Sequence, residues 1–160
     1  MTIDGLTHSG IPLGGLGTGS VEIRRDGYFH EWQIMNNAPW GSGPELSAPR
    51  DTMYFGVQAN DGSSRRSAVL GLPTDADENL NDPYHIPWLE HPTAIDAEAR
   101  FPFTRLRYRL QGFPLDISLD AFSPFIPHDS RNSGLPLAFF AFTIHNRTRR
   151  RIRLGLFAAL

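Results

Sequence analysis

Residues 103–121 read FTRLRYRLQGFPLDISLDA, and their alternation decides the fold. With Gln111 to Pro114 as a four-residue turn, Leu110 faces Leu115, Tyr108 faces Ile117 and Leu106 faces Leu119 on one side. The same register sets Arg109 opposite Asp116 and Arg105 opposite Asp120 on the other. Apolar and charged cross-strand pairs each contribute roughly 0.2–1 kcal/mol. A slip of one residue would carry every apolar side chain to the wet face, so the pattern itself fixes the register.

The same grammar recurs along the chain. Val21–Ile23 and Tyr28–Met35 read as strands joined by Arg24-Arg25-Asp26-Gly27, with Asp-Gly as a hairpin signal. That alternation sets Phe29 and Glu31 on one side and His30, Trp32 and Ile34 on the other. Thr52–Ala59 puts Met53, Phe55 and Val57 on one face, turns at Asn60-Asp61-Gly62 and returns through Arg65–Leu72. Residues 73–95 are proline-rich and irregular, and Phe122–Leu135 is a loop of small residues and prolines. Ala138–Ile144 and Arg151–Leu156 are expected to pair as a hairpin around Asn146–Arg150. Strand follows strand with almost no helical periodicity, which predicts an all-β fold, an antiparallel β-sandwich. Arg151–Leu160 (RIRLGLFAAL) runs out within an apolar strand and would leave an edge bare. The expected sandwich is therefore incomplete at its C-terminal end.

Composition narrows the function. The 160 residues suit one domain, 40% hydrophobic and 20% charged, as in ordinary globular chains. A net charge of −2 supplies no global basic field for nucleic acid or an anionic membrane. Arg149–Arg151 form a short charge run at a turn, where a nucleic-acid surface would need a broader basic face. The chain has no cysteine, so it has neither disulfides nor a thiolate metal site. The opening MTIDGLTHSG lacks the basic and apolar regions of a signal peptide, and no apolar run is long enough for a transmembrane segment. Together these lead to the expectation of a cytoplasmic protein.

Five glycines, Gly10, Gly14, Gly15, Gly17 and Gly19, fall within ten positions. Ser20 stands where a dinucleotide fingerprint needs its third glycine, and no lysine follows as a P-loop requires. Val21 and Ile23 alternate with Glu22 and Arg24, so a strand follows instead of a helix whose N-terminus could hold phosphate. Gly14, Gly15, Gly17 and Gly19 are therefore read as a structural turn. His85, Glu90 and His91 stand among Pro83, Pro87 and Pro92, which prevent the helix that short-spaced histidine ligands usually need; no metal is expected.

Residues 10–20 (GIPLGGLGTGS), followed by FHEWQIMNN at 29–37, resemble the opening of the N-terminal domain of glycoside hydrolase family 116. This is the bile-acid β-glucosidase or non-lysosomal glucosylceramidase type. A second match is DAFSPFIP at Asp120–Pro127 with SGLPL at Ser133–Leu137. The resemblance implies an N-terminal β-sandwich that packs on a C-terminal catalytic (α/α)6 helical domain, the full enzyme cleaving β-glucosides or glucosylceramide with retention. The family's catalytic carboxylates lie on that helical domain, so no catalytic residue and no cofactor carries over to residues 1–160.

Retaining hydrolysis needs two carboxyl groups about 5–5.5 Å apart. Among the candidate carboxylates Glu22, Glu31, Glu45, Glu90 and Glu98, none has a partner in a setting that would split their pKa values by burial or like charge. Trp32, Asn36, Asn37 and Trp40 are the candidate ligand contacts, since an aromatic plane beside side-chain amides suits a sugar. The alternative function is a free-standing, non-catalytic β-sandwich module that binds carbohydrate or protein. Such a module should close its sheets and show an exposed aromatic strip, whereas the aromatics here look dispersed along the sequence.

Overall fold

The computed structural model describes residues 10–33, 53–74 and 88–159. Eleven strands and one short helix follow in chain order: β1 Pro12–Leu13, β2 Ser20–Ile23, β3 Phe29–Gln33, β4 Tyr54–Asn60, β5 Arg65–Val69, β6 Leu89–Glu90, β7 Ala94–Arg100, β8 Phe103–Arg109, β9 Leu115–Phe122, α1 Ser130–Ser133, β10 Phe139–Asn146 and β11 Arg153–Ala159. They make a three-stranded sheet β1-β2-β3 and two four-stranded sheets, β10-β9-β8-β7 and β11-β4-β5-β6. Every pairing is antiparallel except β5 with β6. The fold is an antiparallel β-sandwich.

The β8–β9 hairpin forms in the expected register, with Tyr108 across from Ile117 and Leu106 across from Leu119. Leu106, Tyr108, Leu110, Leu115, Ile117 and Leu119 are all buried. Arg105 binds Asp120 with Nε to Oδ1 at 2.5 Å. Arg109 does not pair with Asp116. Because β8 is an inner strand, its arginines have acceptors on both sides, and Arg109 reaches Asp96 on β7 at 2.9 Å. Asp116 is approached instead by Arg147 at 3.4 Å.

The β2–β3 hairpin also forms, with Gly27 at φ 88 and Ile23 across from Phe29. Its side-chain alternation breaks at a bulge between the Ser20 and Glu22 pairings, where Glu31 takes φ 51. A bulged residue reverses the facing of the side chains after it. Trp32 therefore comes round to the side of Phe29, with ring centroids 5.9 Å apart, and packs half-buried on the core. This corrects the expected face for Trp32.

Residues 139–146 and 153–159 do not form a hairpin. β10 pairs with β9 and β11 with β4, so the Asn146–Arg150 turn carries the chain from one sheet to the other. Phe140, Phe142 and Ile144 pack partly buried against the core. β7 was hidden in sequence because alanines alternate with charged residues there and only Ile95 is buried.

Aromatic rings fasten the three sheets together. Phe29 of β3 meets Phe55 of β4 and Phe140 of β10, each at 5.5 Å. Phe55 meets Phe140 and Phe142 at 5.1 Å each. Edge-on aromatic pairs of this kind add about 0.5–1.5 kcal/mol beyond their burial. Arg66 on β5 clamps the far end: it bonds both carboxylate oxygens of Glu90, lies 5.3 Å over the Phe113 ring and donates to the Gly112 carbonyl at the β8–β9 turn.

Candidate functional site

The glycine loop leads from β1 into β2, with no helix N-terminus in it. Gly14, Gly17 and Gly19 sit at φ 146, 75 and 107, values that side chains rarely tolerate. Gly15 is required for a different reason. A Cβ there would stand 2.4 Å from the Leu135 carbonyl oxygen and 2.5 Å from that of Gly134.

The loop is pressed against the segment that comes after β9. The Gly14 N–H donates to the Ser123 hydroxyl at 2.6 Å, and the Leu16 N–H donates to the Ser133 carbonyl at 2.9 Å. That segment is itself fixed. Asp129 caps α1 by accepting the Asn132 N–H at 3.0 Å, and this bond holds its carboxyl below the ordinary aspartate value. The buried Ser133 hydroxyl accepts from the Ile126 N–H at 2.9 Å and donates to the Ile126 carbonyl at 3.0 Å. The GIPLGGLGTGS and DAFSPFIP…SGLPL phrases, far apart in sequence, thus form one junction.

A cleft of about 380 Å³ opens at that junction, between the glycine loop and the Phe101 and Phe125 rings. These rings meet edge to face at 5.1 Å. Ser20, Gln33 and Ser123 give it polar groups, and Gln33 Nε2 is buried with no hydrogen-bond partner among the described residues. The cleft can enclose a small group by apolar contact.

Beside the cleft the outer face of the β10-β9-β8-β7 sheet carries a row of phenylalanines. Phe103 stands across from Phe122, and Phe122 across from Phe139. Their rings are 5.2 Å apart in each step, with Phe122 and Phe139 stacked. Phe101, Phe103, Phe125 and Phe139 are exposed, as are Leu16, Leu135 and Leu137. One row further along, the same face turns charged with Arg105 and Asp120. The aromatics are therefore gathered, not dispersed as the sequence suggested. Extending the β8–β9 register to its end brings Phe103 against Phe122, but Phe139 joins them only through the β9–β10 pairing.

Asn36, Asn37, Trp40, Glu45 and His85 fall outside the described residues, and Trp32 packs toward the core. Glu22 and Glu31 both bind Arg24, at 3.1 and 3.0 Å, as a salt-bridged cluster. Glu90 is held by Arg66, and His91 Nδ1 lies 3.0 Å from the Gly71 carbonyl. Among the described residues no helix is long and apolar enough to cross a membrane.

The family model described as beta-glucosidase 2, glycosyl-hydrolase family 116 N-term, matches residues 10–160. No curated protein matches the chain.

Proposed function

Since the chain belongs to the family of glycosyl-hydrolase family 116 N-terminal domains, we propose that it is the structural sandwich of a β-glucosidase or glucosylceramidase. In this reading it is catalytically silent. It docks on the helical domain that carries the catalytic carboxylates of retaining β-glucoside hydrolysis, and holds that domain in its working shape. The observation that carries the proposal is the exposed phenylalanine face around Phe103, Phe122 and Phe139. Contiguous apolar patches rimmed by charge mark protein contacts, and buried aromatics dominate the energetics of such contacts. The cleft formed by the glycine loop opens beside this face and shares Phe101 and Phe125 with it. Among the candidate carboxylates, Glu22 and Glu31 share Arg24 and Glu90 is held by Arg66.

The test is co-purification with a family 116 helical domain produced as a separate chain. The 160-residue chain should be retained, while Phe103→Asp and Phe139→Asp should weaken retention at least tenfold with an unchanged far-UV circular dichroism spectrum. Equal retention of both variants would remove this face from the contact.

The same phenylalanine row supports a second reading, a carbohydrate-binding platform. Titration with soluble β-glucan separates the two: saturable binding abolished by Phe139→Asp favours the platform, and no binding favours the interdomain face.

A further inference from the structure

The two four-stranded sheets differ in how far they extend. On β11, Leu154 lies directly across from Ala59 and Leu156 across from Val57, so all four point toward the core side, as directly opposed residues share a face. Ala59 and Val57 are 3% and 0% exposed, whereas Leu154 and Leu156 are 43% and 45% exposed. The cause is an overhang. The contacts of Phe55 with Phe140 and Phe142 place β4 over β10, and β10 is the last strand of its sheet. β11 continues one strand further, about 4.8 Å out, and its inner face meets no strand opposite it among the described residues. Beneath this ledge the outer backbone edge of β10 is unpaired among the described residues, and Phe140, Phe142 and Ile144 are only partly covered.

We propose that the ledge receives an extended polypeptide strand, which adds antiparallel to the outer edge of β10 and lies under β11. Its main chain would complete the ladder, as in other strand-addition complexes. Alternate apolar side chains would point up at Leu154 and Leu156. Charge sets the rest of its chemistry. Arg149 and Arg151 are exposed and enter no ion pair among the described residues, and they lie in the turn after the C-terminal end of β10. An antiparallel strand begins at that end, so the partner carries acidic residues at its N-terminal end. This inference does not depend on the docking of a helical domain at the phenylalanine face.

The probe is an acetylated ten-residue peptide that begins with aspartate and glutamate and continues with alternating valine and threonine. It is added to the ¹⁵N-labelled 160-residue chain and followed by amide hydrogen exchange. The β10 amides that do not pair with β9 should slow at least tenfold. Leu154→Asp and Leu156→Asp, both at half-exposed positions, should each weaken binding at least tenfold. Independently of any variant, a peptide with its acidic residues replaced by lysines should bind at least fivefold more weakly. Protection that is absent, or that falls on β6 or β7, overturns the proposal. So does a concentration-dependent dimer that protects the same β10 amides without peptide, which would assign the ledge to a second copy of the chain.

Discussion

The hydroxyl of Ser123 accepts the N–H of Gly14 at 2.6 Å, joining residues 109 positions apart. Among the described residues it is the one side-chain hydrogen bond across the junction of the two sequence phrases, and Ser123 is buried. Replacing it with alanine leaves the Gly14 N–H without an acceptor. Net hydrogen-bond contributions of about 0.5–1.5 kcal/mol set the expected loss for Ser123→Ala in urea unfolding. Faster exchange of the Gly14 amide should accompany that loss. An unchanged midpoint and exchange rate would show that the bond holds nothing.

Gly15 and Gly17 separate close approach from backbone conformation. Gly15→Ala would drive a methyl group into the Leu135 and Gly134 carbonyl oxygens, and overpacking of this kind costs about 1–3 kcal/mol. Gly17 has nothing within 4 Å of its virtual Cβ but sits at φ 75, a conformation that costs a side chain about 1–2 kcal/mol. Both variants should be less stable in denaturant titrations. Only Gly15→Ala should also disturb the amide shifts of residues 133–135.

How much of this was legible in sequence depends on whether the decisive contact was local. The β8–β9 and β2–β3 hairpins are local, and alternation with a glycine turn specifies them. The sandwich as a class comes from repeating that pattern. Partner choice between distant strands does not: 139–146 and 153–159 both alternate apolar residues, but each adds to a different sheet, beside β9 and β4. A single bulge at Glu31 reversed Trp32, and period-two counting has no means of showing it. The junction of the two motif phrases rests on the Ser123 hydroxyl, the Ser133 carbonyl and the close approach of Gly15 to the Gly134 and Leu135 carbonyls, and strand alternation does not encode which distant loops meet.

Tyr108 supplies a stabilising prediction. Its hydroxyl is buried without a hydrogen-bond partner among the described residues, and burial pushes its ionisation far above the ordinary tyrosine value. An unsatisfied buried polar group costs about 1–3 kcal/mol, so Tyr108→Phe should raise stability by about 1 kcal/mol. A loss of stability in thermal melts would show that the hydroxyl contributes a favourable interaction.

Acid should weaken the fold through two aspartates. The Ser63 and Ser64 N–H groups lower the Asp61 carboxyl, and the Asn132 N–H lowers that of Asp129. With folded values below the unfolded value of about 3.9, their contributions are complete above that pH and are lost as pH falls through the folded values. Melting temperature should therefore drop below about pH 4 through these groups. Asp129→Asn keeps an oxygen acceptor for the cap but cannot titrate, so its acid slope should be shallower than that of the unaltered chain. An identical slope would exclude Asp129 from the acid response.

The docking account is tested most directly by hydrolysis of an aryl β-glucoside. A family 116 helical domain is assayed alone, with the 160-residue chain, and with the chain carrying Phe139→Asp. The account predicts no turnover by the chain by itself, at least a tenfold rise when it is added to the helical domain, and little rise with the variant. Turnover by the isolated chain would contradict it, and so would a helical domain whose rate is indifferent to the chain.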